Sequence, residues 1–288
     1  MNIIQHSDST LLVRLWSAIW KILVFTILWG VAAAPFIVPF SKYFEKLDLS
    51  HPLQMRVYYD FSSFAVLLFS TWVMMHFIEH RSWIEIGFKN INPGTDLLFG
   101  ILGGVIWLAI PIGVLALLGL VHLQSGGQLQ ITPILWAASA MILNVAAQEV
   151  LGRGYIFITL EKNFGSYWAI FISAIIFMLY HIGAFKGEWL PALNVFLAGI
   201  LFAVAYKVSG NNLWLPIGLH FAWNFLLGPV FGLSISGQEQ WSSAWHILRI
   251  KGPTLLTGGS FGIEGSIITL ATTIAMTAII YFNLSSTK

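Results

Sequence analysis

The chain is built of long, unbroken apolar runs separated by shorter polar stretches. The runs cover residues 15–40, 61–78, 97–122, 132–160, 167–184, 190–207, 213–232 and 264–284. Each approaches or exceeds the roughly 20 apolar residues that a helix needs to cross a bilayer. They are continuous rather than alternating, which argues for helices and against a membrane β-barrel. The pattern predicts an all-α fold: a polytopic transmembrane helix bundle of about eight spans, with both termini on one side of the membrane. The first run is too long for a signal-peptide core and is interrupted only by Lys21, so it reads as a span rather than a leader.

The polar residues collect between the runs. Residues 41–60 hold Lys42, Glu45, Lys46, Asp48, Arg56 and Asp60 and read as a connection. Residues 79–96 hold Glu79, Arg81, Glu85, Lys89 and Asp96 around the turn Asn92-Pro93-Gly94. Residues 233–262 form a long loop in which Trp241 and Trp245 are expected at headgroup depth. Basic residues divide evenly between alternate loops, so they set no orientation.

Composition sharpens this picture. Hydrophobic residues make up 57% and charged residues 9% of the 288, against about 25% charged in a soluble domain. So few polar side chains cannot cover a water-facing globule. The 14 basic and 12 acidic residues are scattered, with no footprint for nucleic acid and no polybasic lipid patch. There is no cysteine, hence no disulfide, thiolate metal site or cysteine nucleophile.

Ionisable side chains inside a span are costly unless paired or turned to a wet cavity, so they mark where chemistry is to be sought. Three patterns lie between residues 148 and 224. In Gln148-Glu149-Val150-Leu151-Gly152-Arg153-Gly154, Glu149 and Arg153 share a helical face; a structural ion pair is the plainer reading. In Phe177-Met178-Leu179-Tyr180-His181, the histidine closes a span; an interfacial histidine is the plainer reading. In His220-Phe221-Ala222-Trp223-Asn224, the two polar groups are again four apart, and a helix–helix contact would explain them. Upstream, Asn211-Asn212-Leu213-Trp214-Leu215-Pro216 reads as a turn feeding a helix. Taken together, Glu149, His181 and His220 supply a carboxylate and two imidazoles. That is the set zinc takes in a catalytic site with an open water position, a divalent metal whose bound water ionises near neutral pH. Asn224 could donate to an oxyanion, and Arg153 could hold Glu149 ionised or grip a carboxylate. Straight spans would leave the two imidazoles of order 10 Å apart in depth at about 1.5 Å per residue, so a break near 182–190 or 209–216 is expected. His76, Glu79 and His80 read as an interface rather than a ligand set.

At these residues the sequence resembles the CPBP family of intramembrane proteases, also called the Abi or CAAX-protease family, which includes the type II CAAX prenyl endopeptidases. Its pattern is Glu-Glu-x-x-x-Arg, Phe-x-x-x-His and His-x-x-x-Asn. Here those positions are Gln148-Glu149-x-x-x-Arg153, Phe177-x-x-x-His181 and His220-x-x-x-Asn224. The run Asn212–His220 and the link Arg81–Phe88 are also similar, so the resemblance covers roughly residues 80–232. It divides the chain into N-terminal spans (1–95), a CPBP-like catalytic core (96–232) and a polar loop with a last span (233–288).

The resemblance implies an intramembrane endopeptidase that hydrolyses a peptide bond near the membrane surface with a Glu/His-activated, metal-bound water. Its partners would be the bilayer and a peptide or protein substrate with a membrane-proximal cleavage site, lipidated or not. The expected location is a bacterial cell membrane, as a multi-pass protein. One position departs from the pattern: Gln148 stands where the family has its first glutamate. An amide cannot take a proton. Either Glu149 becomes the base, or the chain is a weak or inactive member acting as an immunity, scaffold or chaperone protein. A transporter with Glu149 on a proton path is a third reading, disfavoured by the lack of an inverted repeat.

Overall fold

In the computed structural model, described over residues 10–44, 53–89, 92–125, 130–237 and 245–285, helices make up most of the chain. They are α1 (Leu11–Phe44), α2 (Leu53–Val73, continued by a π turn over Met74–Ile78) and α3 (Pro93–Leu117). Next come α4 (Ile131–Glu149) and α5 (Phe157–Phe164), joined by a π-helical stretch over Val150–Ile156. Then follow α6 (Ser166–Tyr180), α7 (Trp189–Val208) and α8 (Trp214–Phe225, continued by a π turn over Leu226–Val230). A single turn, α9 (Thr254–Thr257), precedes α10 (Ile267–Ser285). Every predicted apolar run has its helix, and the all-α bundle follows. Among the described residues five helical segments are long and apolar enough to cross a membrane, while Ser166–Tyr180 and Ile267–Asn283 are apolar but shorter. Large apolar side chains stand outward on these rods, among them Leu12, Trp16, Leu117 and Trp189. Such a surface suits lipid rather than water.

Without a hydrophobic drive between helices in lipid, close backbone packing through small residues does the joining. The tightest seam is α3 against α8. A Cβ added at Gly100 would lie 2.3 Å from the Leu215 carbonyl, at Gly104 2.5 Å from that of Leu219, and at Gly218 2.4 Å from that of Leu97. These obstacles are backbone and cannot swing away. Gly104→Val should therefore cost about 1–3 kcal/mol, as overpacking does, seen as a lowered unfolding temperature in detergent; an unchanged temperature would show that the seam can open freely.

The start of α8 is pinned as the sequence suggested. Asn211 takes φ of 60° and Gly210 of 85°, and Asn212 Oδ1 accepts the Trp214 N–H at 2.9 Å. Asn212 also donates to Asp96, and Leu213 N–H donates to Gly87 O at 3.1 Å. The link segment forms a short 3₁₀ turn, Trp83–Ile86, with Ile86 fully buried and its carbonyl accepting from Tyr206 Oη at 2.9 Å.

Two expectations change. The stretch 41–60 is not all connection: α2 begins at Leu53, so Arg56 and Asp60 lie within a helix. The run 97–122 is not helical to its end. α3 stops at Leu117, Gly119 turns the chain at φ of 71°, which glycine allows without strain, and Val121–Ser125 forms β1. It pairs antiparallel with β2 (His246–Ile250), which comes from the long polar loop 233–262. Trp245 is exposed beside this ribbon; Trp241, Gln238 and Glu239 lie outside the described residues.

Candidate active site

The π-helical stretch after α4 sits on the first motif, where an extra residue per turn re-aims side chains and often marks function. Glu149 closes α4, and Arg153 falls one turn later. Both are fully buried. Arg153 Nη1 lies 3.3 Å from Glu149 Oε2, and its Nη2 donates to Gly199 O at 3.0 Å. The guanidinium also lies over the Phe177 ring at 4.4 Å and that of Phe202 at 5.2 Å. Glu149 Oε1 meets His220 Nδ1 at 2.7 Å. An acceptor-only carboxylate assigns the proton to Nδ1 and leaves Nε2 with the lone pair in the neutral ring. The His220 imidazole is stacked on Phe202, with centroids 4.6 Å apart.

His181 Nδ1 lies 2.8 Å from the Phe177 carbonyl. That oxygen only accepts, so His181 too carries its proton on Nδ1 and leaves Nε2 as its acceptor. The two imidazoles flank one ring: Phe177 is 4.8 Å from His181 and 6.1 Å from His220. Both rings line one cavity. α6 has 15 residues, about 22 Å at 1.5 Å per residue, and the turn that follows it is exposed at Ile182. A 3₁₀ turn at Ile182–Ala184 and a glycine turn at Gly187 lead the chain back into α7.

His181, His220, Gln148 and Asn224 line one cavity of about 340 Å³. Glu149 and Arg153 do not open onto it; they stand behind the His220 ring. Arg153 is therefore not placed to meet a substrate carboxylate. Gln148 is oriented by a chain the sequence reading did not foresee. Arg56 Nε donates to Asp60 Oδ2 at 3.0 Å, Asn144 Nδ2 to Asp60 Oδ1 at 3.0 Å, and Gln148 Nε2 to Asn144 Oδ1 at 2.8 Å. Because Asp60 only accepts, each amide in turn is fixed, and Gln148 is left offering Oε1 as an acceptor. Asn144 could have been suspected from its spacing of four from Gln148 within an apolar run. Asp60 was hidden by its assignment to a connection.

The metal expectation can be weighed on this donor arrangement. Among the described residues no group of three His, Cys, Asp or Glu side chains is placed to hold an ion. Glu149 is turned to His220 and Arg153, so Glu149, His181 and His220 do not fit the three-ligand zinc set. Nor do His76, Glu79 and His80 form one: His76 stacks on Trp72 with centroids 5.6 Å apart, and Glu79 binds Lys21 at 2.5 Å and Lys162 at 3.0 Å.

A helical bundle with apolar outer walls and a cavity carrying a few polar groups defines an integral membrane protein with a site within the bundle. Residues 129–226 match the model of the family described as type II CAAX prenyl endopeptidase Rce1-like. The match spans all three motifs, from Gln148 to Asn224. No curated protein and no solved structure gives a match to the chain.

Proposed function

We propose that the protein is an intramembrane endopeptidase whose water is activated by an imidazole rather than by a metal or by residue 148. The observation that carries this reading is the Glu149–His220 pair, with a carboxylate on Nδ1 and a lone pair on Nε2 toward the cavity. A carboxylate so placed fixes the tautomer and offsets the positive charge that develops on the ring. His220 Nε2 takes a proton from water as the water oxygen bonds to the scissile carbonyl carbon. Asn224 Nδ2 donates to the resulting oxyanion. The carbon–nitrogen bond then breaks, and the proton on Nε2 passes to the leaving amine. The water's second O–H is left for one further acceptor, His181 Nε2 or Gln148 Oε1, which orients it. The peptide substrate would be membrane-proximal, and a prenylated tail is one candidate.

A second reading, a non-catalytic immunity, scaffold or chaperone protein, is favoured by Gln148 alone. One experiment separates the two. Purified protein in nanodiscs is incubated with internally quenched peptides, with and without a farnesylated carboxyl-terminal cysteine. The parent should cleave members of the set, and His181→Asn should lose most of that cleavage. Equal cleavage by parent and variant, or none by either, would end the catalytic reading.

The Gln148 chain carries its own prediction. Gln148→Glu makes residue 148 an acceptor, which forces Asn144 to flip and sets its oxygen against Asp60. The single variant should gain little. Gln148→Glu with Asp60→Asn restores donors along the chain and should raise kcat/KM by up to about 10²-fold, the lower range for an added general base. A single variant as active as the double would show that the chain does not constrain residue 148.

A further inference from the structure

The cavity has a second polar end beyond the matched core. Glu264 lies in the short turn Ile263–Gly265 ahead of α10 and lines the same cavity. Its Oε1 accepts from Trp223 Nε1–H at 2.8 Å, and its Oε2 accepts from the Ser236 N–H. Among the described residues no Lys, Arg or His forms an ion pair with it. Asn194, 4% exposed, lines the cavity alongside. Its Nδ2 donates to the carbonyls of Glu264 at 2.8 Å and Ser266 at 2.9 Å. Two carbonyl acceptors fix the amide, since the flipped form would set oxygen against oxygen. Asn194 Oδ1 is left without a partner.

The rings here have no donors to spare. Trp107 and Trp223 lie 3.9 Å apart. Trp223 N–H is engaged by Glu264, and Trp107 N–H is engaged by Thr273 Oγ1 at 3.1 Å. This part of the cavity is lined by the Glu264 carboxylate, the Asn194 amide and two indoles. A half-buried carboxylate lacking a counter-charge and a buried acceptor lacking a donor both cost free energy. A cationic nitrogen group satisfies both and is attracted to the indole faces.

Ring contacts run from His220 to Phe202, from Phe202 to Trp107 at 5.9 Å, and from Trp107 to Trp223, the ring that holds Glu264. Glu264 meets the cavity through Trp223, one turn beyond His220 on α8.

We propose that Glu264 and Asn194, flanked by Trp107 and Trp223, form a subsite for a cationic side chain of the substrate, a lysine ammonium or arginine guanidinium. The word substrate rests on the endopeptidase reading; the cation subsite does not.

The test uses the full-length protein in nanodiscs and two probes of one shape, n-butylguanidinium and n-butylurea, titrated calorimetrically against empty nanodiscs as a blank. The parent should bind the guanidinium at least tenfold more tightly than the urea. Glu264→Gln should abolish that preference, and His220→Asn should keep it while losing hydrolysis. Equal binding of the two probes to the parent overturns the proposal, as does a preference that survives in Glu264→Gln. The parent measurement decides the matter even if the Glu264 variant fails to fold. A preference present in a protein that cleaves nothing would sink the endopeptidase reading and leave the subsite standing.

Discussion

His220→Asn is expected to lower kcat/KM by about 10²–10⁴, the usual worth of a positioned general base, while leaving the protein folded. The asparagine amide can still donate to Glu149 Oε1, which His220 Nδ1 meets at 2.7 Å, so the carboxylate keeps its partner. What disappears is the second nitrogen, the lone pair that faces the cavity. The effect should fall on kcat more than on KM, because the lost interaction belongs to the reacting water and not to ground-state binding. Peptide cleavage at saturating and limiting substrate, with an unfolding temperature measured beside it, gives the answer. A variant that keeps more than about a tenth of the parent kcat/KM would show that His220 is not the base, since even the low end of general-base catalysis exceeds that. Attention would then turn to His181, the other imidazole on the cavity.

The largest structural effect should come from dividing the buried pair. Glu149 and Arg153 are both fully buried, and Glu149 is the one carboxylate that pairs with the Arg153 guanidinium among the described residues. Removing one partner of such a pair strands a charge and typically costs about 3–5 kcal/mol. Glu149→Gln should therefore unfold at a markedly lower temperature, because Arg153 keeps only the Gly199 carbonyl and two aromatic faces. Glu149→Gln combined with Arg153→Met removes both charges and should recover most of the loss, as uncharged replacements of buried pairs do. Their non-additivity measures the coupling. Hydrolysis should not return with stability, since His220 has still lost the charge behind its ring. Glu149→Gln unfolding at the parent temperature would show that the pair contributes nothing to the fold.

These two variants separate roles that share one carboxylate. Glu149 holds Arg153 in the bundle and holds His220 in its tautomer. Sequence spacing made the first role visible, because residues four apart share a helical face. It could not show the second, which joins residues 71 apart. The same difference explains the metal expectation. A carboxylate and two imidazoles are a sound zinc set by type. Whether they converge depends on which way each turns, and Glu149 turns to a ring nitrogen and a guanidinium.

The apolar runs by themselves determined the class of fold, because a chain with this few charges has no way to cover a water-facing surface and must satisfy its backbone within helices. They also determined the three polar motifs, since a costly side chain inside an apolar run stands out wherever it occurs. Tertiary structure alone decided that His181 and His220 line one cavity, that Asp60 and Asn144 orient Gln148, and that Glu264 reaches the cavity from outside the core. Each of these depends on where helices end and on which atoms meet across the bundle. Hydropathy reports burial along a chain, and it carries no information about which buried groups face one another.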